Sequence, residues 1–573
     1  MKRLPLFSAI LTSILLFVSG LQAAKPNVVL IITDDQGYGD VGVHGNEMIQ
    51  TPSLDALYKQ SVHLTDFHVD PTCSPTRSAL MSGRYSTRTG VWHTIMGRSL
   101  MSTHEWTVAE VFQANGYQTG MFGKWHLGDN YPLRPLDQGF SFAFNHGGGG
   151  VGQGPDYWGN DYFDDTYWRN AKPEATEGYC TDVWFDNAID YIRKHKDEPF
   201  FVYLSTNAPH GPYLVDEKYS KPYEEKGVAQ PMAKFYGMIT NIDENVGRLD
   251  KELHDLGLAN NTILIFMTDN GSAAGWRAPK NAKWPGFNSG MRGGKGSEYD
   301  GGHRVPFFIR WPDGKLEGGR DVNQLSAHID VLPTLTDLCD LKDKASKSRD
   351  GVSLTRALAG NNKVLQDRTI LVHSQRVEYP QKLRKCSVMT SQWRLVNGKE
   401  LFDIKADPGQ QQDVSEEHPE VVKQLQQEYE NWWTSLSTVF DDFVRIGLGS
   451  HDEPESLLHS HDWHTTGNST PWHQNHVRNG AMGTGYWAVD VTASGKYQIE
   501  LRRWPRQEEK PLEAIKASIK IGDYSKEVEV TADQVKVVFD VELPKGPADL
   551  ESLFTLENGK QRGAYFAYIR RID

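Results

Sequence analysis

Four short apolar runs in this chain each stop at polar, chemistry-bearing residues, and that repetition constrains the fold more than any other feature. Asn27-Val-Val-Leu-Ile-Ile-Thr33 stops at Asp34 and Asp35, and Asn261-Thr-Ile-Leu-Ile-Phe-Met-Thr268 stops at Asp269 and Asn270. Phe200-Phe-Val-Tyr-Leu-Ser205 ends just before Asn207 and His210, and the shorter stretch Thr119 to Phe122 ends at Lys124 and His126. Continuous apolar runs of this length suit strands buried on both faces, as in a parallel sheet. Helix-like segments lie between them, at 107–115, 181–194 and 235–256. The alternation predicts an α/β fold with a central, mostly parallel sheet flanked by helices. In such sheets the ligand site lies beyond the carboxyl ends of the strands. The polar residues that end the four runs are therefore expected to converge on one crevice.

The chain has 573 residues, which suits roughly two to four domains. An apolar fraction of 38% with 24% charged residues fits a soluble protein with a large core, which needs no disulfide scaffold. The formal net charge of -13 argues against broad nucleic-acid binding. It also means that an anionic ligand must be attracted locally, by a metal ion or clustered cations. Residues 1–24 read as a signal peptide: Lys2 and Arg3 are followed by the apolar run from Leu4 to Val18, then by small residues up to Ala24. The protein is thus expected to be exported, to the periplasm or beyond. No later segment reaches the ~18 consecutive apolar residues of a spanning helix, so no stable membrane insertion is expected. Of the four cysteines, Cys73, Cys180, Cys339 and Cys386, none stands in a CxxC pair, which gives no support to a zinc or thioredoxin-type motif.

The pattern changes after about Asp367. An α/β domain is expected over 25–365 and a small α+β subdomain over 366–437, the latter with an amphipathic helix from Pro419 to Trp433. A β-rich domain is expected over 438–573. Its first part, Asp441 to His476, reads as irregular and is rich in His and Trp. Strand-like stretches follow at 497–501, 517–521, 526–530 and 535–541, spaced as in a β-sandwich.

Cys73-Ser74-Pro75-Thr76-Arg77 carries the sharpest chemical signal. Pro75 favours the first turn of a helix, Ser78 to Ser82 can continue it, and Gly83 can end it. Cys73 then sits at a helix N-terminus, where unpaired N–H groups and the dipole favour an anion. Arg77, four residues on, shares its face. A nucleophile, an anion-binding helix end and a fixed cation suit sulfate or phosphate chemistry.

Cys-x-Pro-x-Arg resembles the signature of the type I sulfatases, within the alkaline-phosphatase-like superfamily. Gly116 to His126 (GYQTGMFGKWH) is similar to the family's second signature. Asp34-Asp35-Gln36-Gly37, Asn207-Ala-Pro-His210, Thr268-Asp-Asn-Gly271, Gly294-Lys295-Gly296 and Gly301-Gly302-His303-Arg304-Val305-Pro306 follow the family order. The resemblance covers roughly residues 25–435.

It implies that Cys73 is oxidised to formylglycine by a dedicated maturation enzyme. The hydrated aldehyde would attack sulfur and displace an alcohol, then expel sulfate as the aldehyde returns, so that one difficult step becomes two. It implies one calcium ion (Ca²⁺) per active site, held by Asp34, Asp35, Asp269 and Asn270 together with the modified Cys73; the oxygen donors suit a hard cation. Arg77 would hold the nucleophile, and Lys124 and Lys295 would grip sulfate oxygens. His126 would deprotonate the diol and His210 would protonate the leaving alcohol. Asp and Asn after strands also serve as helix caps, but two such pairs beside the Cys motif favour the metal.

Four further residues are candidates for substrate contact. His146 stands in the loop Asn145-His-Gly-Gly-Gly-Gly150, and His303 in a Gly-rich turn. Trp472 and His473 belong to the His/Trp stretch, which could form a sugar-binding lip, a second metal site or a plain loop. The expected substrate is a sulfated carbohydrate. The alternatives are a phosphate or phosphonate ester hydrolase of the same superfamily, and a non-catalytic glycan-binding protein with Cys73 left unmodified.

Overall fold

The structure is a computed structural model that describes residues 25–361, 365, 368–465 and 470–573; the expected signal peptide lies outside the described residues. Among the described residues no helix is long and apolar enough to cross a membrane.

A ten-stranded sheet forms the centre. Its strands run in the order Arg320–Val322, Val62–Leu64, Phe307–Arg310, Thr262–Thr268, Asn27–Thr33, Phe200–Ser205, Gln118–Lys124, Phe142–His146, Thr166–Arg169, Lys172–Ala175. The five strands from Thr262–Thr268 to Phe142–His146 pair parallel throughout, and antiparallel strands flank them. Asn27–Thr33, Phe200–Ser205 and Thr262–Thr268 are buried at every residue, which explains their unbroken apolar sequences.

Alternation within a strand builds two layers. Val28, Leu30 and Ile32 face a cluster that holds Leu80, Met81, Phe112 and Leu332, on the helices Cys73–Ser82, Val108–Ala114 and Val331–Leu338. Val29 and Ile31 face the opposite cluster, with Val183, Ile192, Ile242 and Val246 on the helices Cys180–Lys194 and Gln230–Asp255. The helix expected at 107–115 starts with a capping box: the Glu110 N–H donates to Thr107 Oγ1, and the Thr107 N–H donates to the Glu110 carboxylate.

An antiparallel four-stranded sheet follows, from Ile370–His373 to Glu400–Asp403. The helix Pro419–Leu436 covers it through Leu425, Tyr429, Trp432 and Leu436. Beyond it, two further sheets share one apolar core. The segment expected to be irregular holds two short strands. Ile446–Leu448 pairs with Tyr486–Val491, and Glu455–His459 pairs with Phe566–Arg571 near the chain's end. These pairings link distant parts of the chain, so local sequence carries little sign of them. Leu100 and Leu133, from the first part of the chain, also belong to the sandwich core.

Candidate active site

Parallel register brings the expected residues together. Thr33 lies opposite Thr268, Ser205 lies opposite both Ile32 and Gly123, and Lys124 lies opposite His146. The strand ends are therefore nearly level. Beyond them the backbone stays stitched: the Asp34 N–H donates to the Ala208 carbonyl at 3.1 Å, and the Asp269 N–H to the Thr33 carbonyl at 3.0 Å. The helix Cys73–Ser82, buried at all of its residues, presents Cys73 at its first position and ends at Gly83, whose φ of 63° suits glycine.

Three carboxylates and an amide crowd this crevice. Asp34, Asp269 and Asn270 are fully buried and Asp35 is nearly so. Oxygens of Asp34 and Asp269 and the Cys73 sulfur all lie within 4.8 Å of one another. Asp34 Oδ1 and Asn270 Oδ1 are buried without a hydrogen-bond partner. Two such orphaned acceptors would be costly if nothing satisfied them. The Asp269 carboxyl is pushed up to about 6, first by burial and then by the charge of Asp34. An oxygen-rich donor set whose members repel one another fits a hard divalent cation. Asp35 stands at a left-handed φ of 69° and its N–H donates to Asp269 Oδ1 at 3.1 Å. Burial acts to raise its own carboxyl, but Lys295 and His210 outweigh burial and hold it below the usual carboxylate range.

Cations interleave with these acids. Arg77 donates to Asp269 Oδ2 from Nη2 at 2.8 Å and from Nε at 3.1 Å, and its Nη1 reaches Ser205 Oγ and, at 3.2 Å, the Lys124 carbonyl. Lys124 Nζ pairs with Asp34 Oδ2 and Lys295 Nζ with Asp35 Oδ1, each at 2.5 Å. The side chains of Arg77 and Lys124 are fully buried, whereas those of Lys295 and His210 are 17% and 19% exposed and form the mouth.

The histidines are placed unequally. His126, at a φ of 61°, bonds to the Thr94 carbonyl through Nε2 at 2.8 Å; a carbonyl only accepts, so Nε2 carries the proton. Its Nδ1 is buried and unpartnered, a free lone pair. Burial, Lys124 and His461 hold the ring well below the usual histidine range, hence neutral. His210 donates from Nδ1 to the Gly211 carbonyl at 2.7 Å and turns Nε2 toward Asp35 Oδ2 at 3.8 Å. Burial, then Lys295, lower it to about 3. His146 is fully buried, with Nδ1 on the Gly147 carbonyl and Nε2 unpartnered; Lys124, Arg77 and His210 act on it electrostatically.

His303, expected as a substrate contact, lies elsewhere. Its ring is fully buried, with Nδ1 2.9 Å from Nδ1 of His68 and Nε2 on the Glu298 carbonyl. It belongs to a buried network with Asp300 and Arg394 and offers no edge to a sugar. Trp472 and His473 are half-buried and reach the glycine loop from the C-terminal side. The Gly154 N–H donates to the Trp472 carbonyl, and Gln153 forms a bridge with His473. His473 is an electrostatic neighbour of His210.

Three features escaped the sequence reading. Ser205 closes the shell around Arg77; its place as the polar end of an apolar run was the available signal. Gly149 lies against the His126 ring so closely that a Cβ there would overlap Cε1 and Nε2. The His461 ring stands 6.2 Å from that of His126, and its Nδ1 is 2.7 Å from Asp462 Oδ1. No local pattern encodes contacts between positions so far apart.

The sulfatase family model matches residues 26–341, and a model described as N-sulphoglucosamine sulphohydrolase, C-terminal, matches 294–434. Human arylsulfatase A is 30% identical over 432 residues, which cover 69% of this chain and 80% of that protein. N-acetylgalactosamine-6-sulfatase of Canis lupus familiaris is 30% identical over 392 residues, covering 63% and 71%. The crystal structure of Ps i-CgsB in complex with k-i-k-neocarrahexaose superposes with a TM-score of 0.64 at 28% identity, covering 71% of this chain and 92% of that one. The chain belongs to the sulfatase family. It is a sulfuric ester hydrolase.

Proposed function

We propose that the protein hydrolyses sulfate esters on a carbohydrate after conversion of Cys73 to formylglycine by a maturation enzyme, and that it does so after export. The observation that carries this reading is the juxtaposition at one crevice of Cys73 on a helix N-terminus, two orphaned oxygens of Asp34 and Asn270, and the cations Arg77, Lys124 and Lys295. The sugar is supported by the names of two relatives, an N-acetylgalactosamine-6-sulfatase and a protein bound to a neocarrahexaose.

Asp34, Asp35, Asp269 and Asn270 would hold one calcium ion, which when bound polarises a sulfate oxygen. Formylglycine at position 73 supplies the hydroxyl nucleophile. Arg77, locked by Asp269 and Ser205, fixes the charge beside residue 73. Lys124 and Lys295 bind sulfate oxygens and offset the charge that grows in the transition state. The free Nδ1 lone pair of His126 accepts a proton from residue 73's hydroxyl side. His210, at the half-open mouth, keeps its one proton at Nδ1 on the Gly211 carbonyl, so Nε2 first takes up a proton, balanced by the Asp35 carboxylate 3.8 Å away, and then gives it to the departing sugar alcohol. His146, Trp472 and His473 line the approach; His303 is left out because it is sealed in its own network. The reading divides the chain at 25–365, 366–437 and 438–573, with apolar contacts crossing both boundaries: Ala79 and Ile329 pack with Ile370 and Val372, and Leu100 and Leu133 join the sandwich core.

The test is sulfate release from defined sulfated saccharides by protein co-expressed with a formylglycine-generating enzyme. The wild type is expected to release sulfate and Cys73→Ala to release none; equal release by both would overturn the reading.

A further inference from the structure

The stretch from Ser272 to Ser297 holds five cations, Arg277, Lys280, Lys283, Arg292 and Lys295, and no carboxylate, in a chain of net charge -13. Its two ends meet at the crevice. Ser272 follows Asn270 by two residues, and the Lys295 N–H donates to the Ser272 carbonyl at 3.0 Å. Everything between them is an excursion that leaves the active site and returns to it. Internal bonds give the excursion a definite shape: Phe287 N–H to the Gly275 carbonyl, and Ala278 N–H to the Pro285 carbonyl.

Its apolar side chains anchor it. Ala274, Ala278 and Trp284 pack against the cluster of Tyr223, Met232, Phe235 and Tyr236, where Tyr213 also docks. Trp284 Nε1 donates to Tyr236 Oη at 3.2 Å. Tyr213 feels the charges of Asp35 and Lys295, so this cluster borders the mouth. Arg292 is also tied down, over the Tyr299 ring and onto the Gln410 carbonyl.

Arg277, Lys280 and Lys283 remain. All three are exposed, and among the described residues none has a carboxylate within ion-pair distance, unlike Arg77, Arg88, Arg248 and Arg506. Three uncompensated positive charges on a structured loop beside the mouth attract a polyanion, against the field of the whole molecule.

We propose that this loop is an exosite for further anionic groups of the substrate. The natural ligand is then a polyanionic glycan that carries sulfates or carboxylates beyond the ester being cut, and not an isolated monosulfated sugar. The assignment rests on the sulfatase reading but concerns different residues. Exposed charge pairs are individually weak and screened by salt. Three acting together are expected to change affinity by about tenfold or more at low ionic strength.

The experiment compares the wild type with the triple variant Arg277→Gln, Lys280→Gln, Lys283→Gln. Fluorescence anisotropy would follow binding of labelled dextran sulfate and labelled unsulfated dextran at low and high salt. Turnover of 4-methylumbelliferyl sulfate, a monoanionic ester, would be measured in parallel. The expected result is salt-sensitive binding of dextran sulfate alone, weakened at least tenfold in the variant, with aryl sulfate turnover unchanged. Equal binding by variant and wild type, or equal binding of sulfated and unsulfated dextran, would overturn the exosite. Absence of sulfate release from every ester by formylglycine-bearing wild type would instead overturn the sulfatase reading, whatever the binding result.

Discussion

Gly149→Ala should disable the enzyme through one methyl group. A Cβ at Gly149 would overlap Cε1 and Nε2 of His126 and lie 2.9 Å from Nδ1. Carbon atoms in contact prefer about 3.5–4.0 Å, so the two must separate by about 1 Å. The backbone at Gly149 lies outside the left-handed region, so alanine is not excluded by its own φ. The ring cannot easily yield, because Nε2 is bonded to the Thr94 carbonyl and the Ser74 hydroxyl donates to the His126 carbonyl. If the ring moves, the proposed base leaves its position, and a displacement of about 1 Å can cost ~10²-fold in rate, or about 2.7 kcal/mol in the barrier. Gly154→Ala on the same loop is the control, since its nearest neighbour would be at an ordinary 3.5 Å. The assay is steady-state sulfate release with kcat and KM separated. Gly149→Ala is expected to lower kcat about a hundredfold with KM little changed and Gly154→Ala within about twofold of wild type. Equal activity in both variants would refute the role given to His126.

Other outcomes follow from the same geometry. His210→Gln should reduce sulfate release from a sugar ester by ~10²–10⁴-fold but far less from an aryl sulfate, whose leaving group needs no protonation; equal losses on both would remove the general-acid role. Added calcium should raise the melting temperature of the wild type, by mass action on a site that forms only in the folded state, and should do so much less in Asp34→Asn, as scanning fluorimetry would read. Asp40 is buried with Oδ1 unpartnered, and burial pushes its carboxyl up to about 7 from 3.8. The folded state therefore holds this proton to higher pH than the unfolded chain. The contribution is complete below pH ~4 and is lost as pH rises through about 7, on the order of 4 kcal/mol. Asp40→Asn should flatten that decline in melting temperature between pH 5 and 8; an unchanged slope would contradict it.

The sheet and its crevice were legible because burial on both faces leaves an unmistakable trace: Val28 to Ile32 and Ile263 to Met267 carry no polar residue. A strand that ends in Asp-Asp or Asp-Asn then announces its own active end. His303 misled because a Gly-rich turn with a histidine looks alike whether it faces solvent or seals a network with His68, Asp300 and Arg394. The strand Glu455–His459 was invisible because its partner, Phe566–Arg571, stands more than a hundred residues away. Its apolar residues are spread thinly among Glu, Ser and His. The contact of Gly149 with His126 follows from the level strand ends, not from any motif.

The central claim is that the chemistry starts from a cysteine altered after synthesis. Cys180, Cys339 and Cys386 are buried thiols with pKa values pushed upward by burial, so they serve as internal controls. The decisive measurement is the mass of the tryptic peptide 60–77, which contains Cys73, from active enzyme. Conversion of the thiol to an aldehyde lowers the mass by about 18 Da, whereas ordinary thiol oxidation raises it. The expected result is that loss at Cys73 alone, in proportion to specific activity. Full activity with an unmodified Cys73 peptide would contradict the mechanism.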